Sequence, residues 1–345
     1  MKRAELTDRL ELMGVPGSPY TRKMLALLRY RQIPHNISWS GIMGVPRGYP
    51  RPKVALLPTF YFRDSAGNLE AAVDSTPIIR RLEKDFPGRS VIPEKEALCF
   101  LDLLVEDYAD EWLTKAMFHF RWAFRDDADH VGPLLIHWTN PNLPDEQVTA
   151  MAAQFSKRQI DRLYVVGSNK ITAKTIEDSF VRLLGLLDRL IREQGFVLGG
   201  RPSACDFALY GQLTQLTEVE PTSMALTRKY GQRVRAWVDR MDDLSGHRGG
   251  EWLAEDQYGS LQGLLSEIGR TYAPFLIANA AAVQSGAENV ESEIDGRSWQ
   301  QPPFPYQAKC LVALRDAYQT LSGDSRTRID ELLAGTGCES LFAKR

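Results

Sequence analysis

The spacing of apolar residues divides the chain into a short α/β stretch and a long helical remainder. Leu10, Leu12 and Met13 form a brief apolar run that breaks at Gly14, and Pro16-Gly17 sets a tight turn. From there Met24, Leu27 and Leu28 recur at i, i+3 and i+4, which predicts strand, turn and amphipathic helix. Ser18 suits the N-cap of that helix and Pro19 its first position. Ile33 to Trp39 reads as a loop entering a second short strand, and Gly41 to Pro52 as a Gly/Pro-rich connection. Val54 to Phe62 is an apolar run interrupted by Pro58, and a proline there marks an edge, a bulge or a cis bond at the strand's start. Asp64 to Asn68 supplies turn residues, so Leu69 to Val73 returns as the partner strand of a hairpin. Asp74-Ser75-Thr76-Pro77 opens a helix with Ile78, Ile79, Leu82 and Phe86 on one face, stopped by Pro87-Gly88. The order is β-α-β-β-β-α.

From Glu96 the pattern is helical. Leu98, Leu101, Val105, Tyr108, Trp112 and Ala116 fall at helical intervals within Glu96 to Arg125. Phe118, Phe120, Trp122 and Phe124 follow, an aromatic cluster that serves either as core or as the wall of an apolar pocket. Pro141 to Pro144 is a linker, and Asp145 to Tyr164 and Ala173 to Gln194 read as two more helices. Ser203-x-x-Asp206 has the form of a capping box before an apolar helix carrying Phe207, Leu209, Tyr210 and Leu213. Trp237 and Met241 carry the pattern to Leu244. Beyond it, Leu261, Leu264, Leu265, Ile268, Tyr272, Phe275 and Leu276 share a helical face. Val290 to Gln300 alternates around Asp295-Gly296, a hairpin signal. Helices are expected over Tyr306 to Leu321 and Asp324 to Leu333. This tail is too apolar to be disordered, so it is expected to pack on the helices before it.

Composition narrows the chemistry. The 345 residues are 43% hydrophobic and 25% charged, with net charge −2 and no basic block, which argues against a nucleic-acid partner. Cys99, Cys205, Cys310 and Cys338 lie far apart, with neither CxxC nor zinc-type spacing to histidine. A disulfide framework and a metal site are therefore not expected, and a reducing compartment is. The opening MKRAELTDRLEL lacks the apolar core of a signal peptide, and no run approaches the roughly 20 residues of a membrane span. Ser18 is the first chemical candidate. A hydroxyl at the positive end of a helix favours an anion such as a thiolate or a phosphate, although the same serine suffices as a cap. His119, Arg121 and His137 are polar but take no assigned role.

Three segments carry a resemblance. SPYTRK after the first strand, LLPT at the third and DSTPIIRRL at the next helix resemble, in order and spacing, the N-terminal domain of glutathione S-transferases. The Ser203-x-x-Asp206 box resembles that of the family's helical domain. The resemblance covers Leu10 to about Leu244. It implies a thioredoxin-like α/β domain over 8–90, an all-helical domain over 95–245 and a mostly helical extension over 246–345. It implies that the Leu57-Pro58 bond is cis, that the Leu57 backbone pairs with the cysteinyl part of glutathione, and that Asp74-Ser75 holds the γ-glutamyl end. Ser18 matches the activating hydroxyl of the Ser-type members, with Tyr20 and Thr21 as neighbouring hydroxyls. No cysteine lies between Gly14 and Lys23, which argues against the Cys-type branches. The expected activity is transfer of glutathione, as co-substrate, to a hydrophobic electrophile by a cytoplasmic homodimer. The alternative is a non-catalytic ligand-binding or protein-interaction module of the same fold.

Overall fold

The structure, a computed structural model, describes residues 9–42 and 44–343. The first eight residues, on which the signal-peptide expectation rests, lie outside them. A four-stranded sheet comes first, with β1 Leu10–Gly14, β2 His35–Trp39, β3 Thr59–Arg63 and β4 Leu69–Ala72 in the order β2-β1-β3-β4. The first pair is parallel and the others antiparallel, with Leu12 opposite Ile37 and Phe60. The apolar run expected from Val54 joins the sheet only at Thr59, because Pro58 has no N–H for a ladder. The Leu57-Pro58 bond is cis, as the resemblance implies. Helix α1, Pro19–Tyr30, buries Met24, Leu27 and Leu28, and α2, Ser75–Asp85, buries Ile78, Ile79 and Leu82.

A helical domain follows: α3 Glu96–Tyr108, α4 Thr114–Trp122, α5 Arg125–His137, α6 Asp145–Ile160, α7 Ala173–Gln194, α8 Ala204–Glu218, α9 Pro221–Tyr230 and α10 Gln232–Met241. The fold is thus a thioredoxin-like α/β domain followed by an all-helical domain with additional C-terminal helices. The helical pattern expected over Glu96 to Arg125 comprises α3 and α4 joined by a π-helical turn, Ala109–Leu113. Such turns admit an extra residue and re-aim the side chains around it, often at functional sites. Here the turn carries Asp110 and Glu111.

The two domains meet along α1 and α8. Gly211 of α8 faces α1 so closely that a Cβ there would lie 2.4 Å from the Pro19 carbonyl oxygen, so only glycine allows this approach. Buried Arg121 of α4 holds the turn before α1. Its guanidinium donates to the Gly17 carbonyl at 2.9 Å, to Gln215 at 2.6 Å and to Glu220 at 2.5 Å. Arg121, unassigned from the sequence, is therefore a clamp between domains.

The extension comprises α11 Gln262–Ser285, the hairpin β5 Val290–Ile294 and β6 Arg297–Gln301, α12 Pro305–Gln319 and α13 Gly323–Leu333. The hairpin turns at Asp295 and Gly296, both with positive φ, as the Asp-Gly pair predicts. Its apolar residues Tyr272, Phe275, Leu276, Trp299 and Leu314 join the core cluster that also holds Leu12, Leu104 and Trp112. One core therefore runs through all three parts. Among the described residues no helix is long and apolar enough to cross a membrane.

The Ser203/Asp206 pair starts α8 as its spacing predicts. The Asp206 carboxylate accepts from the Ser203 N–H at 2.9 Å and the Val197 N–H at 2.8 Å, both buried. Asp206→Ala would orphan two buried donors. It should lower stability by roughly 2–4 kcal/mol in urea unfolding, with Asp206→Asn recovering part of the loss.

Candidate functional site

A cavity of about 410 Å³ opens where sheet, helical domain and extension meet. Leu57, Pro58, Asp74 and Ser75 all line it, so the two segments singled out in the sequence converge on one space. Tyr20 lines it as well, its hydroxyl donating to the Asp110 carbonyl at 2.7 Å. Ser18 does not line it. Its side chain accepts from the Thr21 N–H at 3.3 Å and so caps α1, the local role its position also predicts. Thr21 is fully buried with its hydroxyl packed beneath Gly14. Of the three hydroxyls near the first turn, Tyr20 alone is part of the cavity wall.

Ser75 is the first residue of α2 rather than its cap. Asp74 takes the cap position at φ +80°, a left-handed backbone that costs a non-glycine residue energy and is often found at ligand sites. The Ser75 hydroxyl accepts from the Lys23 ammonium at 2.9 Å. Lys23 also donates to Glu106 at 2.8 Å and to Asp110 at 2.6 Å. All four side chains are buried, so α1, α2, α3 and the π turn are joined through a single cation. Thr76 adds a hydrogen bond to Glu106 at 3.0 Å. Asp74 accepts from the Tyr306 hydroxyl of α12 at 2.8 Å. Both expected γ-glutamyl ligands are therefore already engaged by protein groups.

The extension supplies one wall. Phe304, Tyr306 and Gln307 line the cavity, and the segment is pinned by Asn279, which accepts from the Phe304 N–H at 2.8 Å and donates to its carbonyl at 3.0 Å. Gln307 donates to the Glu111 carboxylate at 2.9 Å. Apolar Val54, Leu56, Val165 and Val166 complete the wall. The aromatic cluster that offered a pocket goes elsewhere. Phe120 is core and stacks on Phe124, while Phe118 packs on Trp122. His119 is bonded to Ser168 at 2.7 Å and faces Glu177 at 3.3 Å, outside the cavity.

The wall is acidic and largely buried. Burial pushes the Asp107 carboxyl up to about 7, against a 2.6 Å hydrogen bond from Tyr272. Burial raises Asp110 to about 6 although Lys23 pulls it down, and raises Glu111 to about 8 with help from Asp107. Lys115 shares this wall. Burial lowers it to about 7, and its ammonium faces the Phe275 ring at 3.9 Å while donating to Gln301 at 3.1 Å. For Lys23, burial works against the charge, but Asp110 and Glu106 outweigh it and hold the ammonium above the usual lysine range.

Sequence reasoning missed Lys23, Asp110, Glu111, Tyr306 and Gln307. Nothing in the local pattern sets Glu106, Asp110 or Glu111 apart from ordinary polar positions on helices. A lysine four residues into a helix otherwise apolar on its inner face was the one available signal. Tyr306 and Gln307 gave none, since their role depends on how α12 docks.

A family model described as the glutathione S-transferase N-terminal domain matches residues 12–90, and one described as the C-terminal domain matches residues 147–240. Together they take in about half of the chain, and the protein belongs to the glutathione S-transferase family. Among solved structures, the chain is similar to a glutathione S-transferase from Methylobacterium radiotolerans in complex with glutathione sulfonate. The identity is 16%, the match covers 71% of this chain and 96% of that one, and the TM-score is 0.41. It is also similar to a glutathione transferase family member from Pseudomonas fluorescens with two glutathione bound, at 13% identity, 70% and 89% coverage and TM-score 0.42. A third likeness is to a glutathione transferase from Pseudomonas putida with glutathione disulfide bound, at 16% identity, 70% and 87% coverage and TM-score 0.40. No curated protein matches this chain in sequence.

The acidic wall has a signature in stability. Glu111 holds its proton up to about pH 8 when folded, against an ordinary value of 4.5. Its folded pKa is the higher one, so its contribution is complete below about pH 4.5 and is lost as pH rises through 8. Glu111→Gln should therefore lie close to wild type at pH 5 and exceed it by several kcal/mol at pH 9. Urea denaturation at the two pH values measures the difference.

Proposed function

We propose that the protein is a glutathione transferase that binds glutathione in this cavity and presents its thiol to a hydrophobic electrophile. The observation that carries the reading is the convergence of Leu57, Pro58, Asp74 and Ser75 on one cavity whose remaining wall includes Val54, Leu56, Val166 and Phe304. In this reading the Leu57 backbone pairs with the cysteinyl unit, Asp74 and Ser75 take the γ-glutamyl end, and the electrophile lies on the apolar wall. Ser18 is the activating hydroxyl to which the motif points, and Tyr20 the one to which the cavity points. Either would act by donating a hydrogen bond that favours thiolate over a thiol of ordinary pKa near ~8.5.

One observation favours a non-catalytic binding module instead. Burial pushes Asp107, Asp110 and Glu111 on this wall above the ordinary carboxylate range, and surroundings that disfavour a carboxylate charge disfavour a thiolate too. Titrating thiolate absorbance with glutathione bound separates the two. In the catalytic reading the bound pKa falls below that of free glutathione, and Ser18→Ala or Tyr20→Phe restores it, costing several-fold in turnover of chlorodinitrobenzene near neutral pH. An unshifted thiol in wild type supports the binding module. Ser75→Ala should weaken glutathione by about 1–3 kcal/mol in calorimetry. No binding by wild type at millimolar glutathione favours a protein-interaction module of the same fold.

The homodimer belongs to the same proposal. Helices α12 and α13 both pack on α3, so the extension covers part of the helical domain's surface. Light scattering at micromolar concentration should give twice the chain mass. The mass of one chain would mean that the extension has taken the place of a partner.

A further inference from the structure

The π-helical turn presents two neighbouring acids to the cavity in different ways. Asp110 is buried and holds Lys23, whereas Glu111 is only half-buried and lines the open space beside it. Gln307 of α12 fixes Glu111 from one side, its amide donating to Oε2 at 2.9 Å and to the Glu111 carbonyl at 3.2 Å. The other carboxyl oxygen, Oε1, is left accessible and without a protein partner among the described residues. The remaining proton-bearing groups of the wall are engaged. Asp107 accepts from Tyr272, and the hydroxyls of Tyr20 and Tyr306 donate to the Asp110 carbonyl and to Asp74.

Burial, reinforced by Asp107 and Asp110, keeps the proton on Glu111 up to about pH 8, against Gln307 and Lys115, which favour its loss. Tyr20 of α1, Tyr272 of α11, and Tyr306 and Cys310 of α12 also face Glu111, and each holds its own proton to higher pH. Glu111 is thus a neutral acid at pH 7 in the same cavity as the apolar residues Val54, Leu56, Val166 and Phe304. Surroundings that disfavour a carboxylate also disfavour an alkoxide or an enolate. An oxygen that takes up an electron pair there needs a proton as the bond shifts, and a neutral carboxyl in the wall can supply it.

We propose that Glu111 is the general acid of this cavity, giving its proton to an electrophile that becomes anionic at oxygen as sulfur bonds to carbon, an epoxide or an α,β-unsaturated ketone. The inference rests on the transferase reading above and names its substrate class. With an epoxide, the glutathione sulfur bonds to carbon, the carbon–oxygen bond breaks, and its electron pair takes the Glu111 proton to give a hydroxyl. With the unsaturated ketone, sulfur bonds to the β-carbon and the carbonyl oxygen takes the proton as an enol. In both, the thiol proton has already gone to solvent, and solvent returns one to the Glu111 carboxylate. Gln307 is a positioning residue that aims the carboxyl.

Turnover of three probes with glutathione tests it: styrene oxide, benzylideneacetone and chlorodinitrobenzene, from which chloride leaves without a proton. Glu111→Gln should lower kcat for the two oxygen electrophiles at least tenfold more than kcat for chlorodinitrobenzene. In wild type the first two rates should fall as pH rises through about 8, where Glu111 loses its proton, while the third does not. The variant should lack that fall. A loss confined to one oxygen electrophile upholds the acid and selects that class. Equal losses across the three probes, oxygen electrophiles that are inert, or rates for them that do not fall above pH 8 overturn the acid and leave the transferase reading standing. Turnover of none of the three overturns both.

Discussion

The Lys23 ammonium, buried among Ser75, Glu106 and Asp110, joins parts of the chain that are otherwise separate layers. Burying an ammonium costs several kcal/mol unless its partners are close, and here three lie within 2.9 Å. The cluster fixes the start of α2 relative to α1, and both relative to the π turn of the helical domain. Such a charged centre adds little net stability over an apolar one of the same shape, but removing one partner leaves an uncompensated buried charge. The approach of α1 to α8 at Gly211 and the Arg121 clamp on the preceding turn act on the same geometry from the other side.

The cavity follows from that arrangement. The sheet domain contributes Leu57, Pro58, Asp74 and Ser75, the helical domain contributes Asp107, Asp110, Glu111 and Lys115, and the extension contributes Phe304, Tyr306 and Gln307. The last hundred residues are thus structural to the site as well as to the core. Because carboxyl groups outnumber basic residues in this lining and burial raises three of them, their protonation and the binding of a charged ligand are linked.

Much of the fold was legible in the sequence for local reasons. Amphipathic spacing located α1, α2 and α7, the Ser203/Asp206 pair located the start of α8, and Asp295-Gly296 located the hairpin turn. Pro58 by itself left an edge, a bulge or a cis bond open, the resemblance implied the cis bond that is found, and the strand it was expected to interrupt began after it. The π turn was invisible, since Ala109 to Leu113 fits an ordinary helix by composition and only packing inserts the extra residue. In the site, Leu57, Asp74 and Ser75 could be named because LLPT and DSTPIIRRL resemble the family's motifs. Asp110 and Gln307 could not, because a polar residue on a helix is taken for solvent face until something buries it. Tyr306 reaches Asp74 across 232 residues, and no local signal spans such a distance.

The central claim is that the cavity shared by the three parts is where glutathione binds. A crystal structure of the protein with glutathione tests it most directly. The account predicts the cysteinyl backbone paired with Leu57 and the γ-glutamyl end at the start of α2, on Asp74 and Ser75, with Tyr306 displaced from Asp74. Glutathione bound elsewhere, or this cavity left unchanged at saturating ligand with Tyr306 still on Asp74, would contradict it.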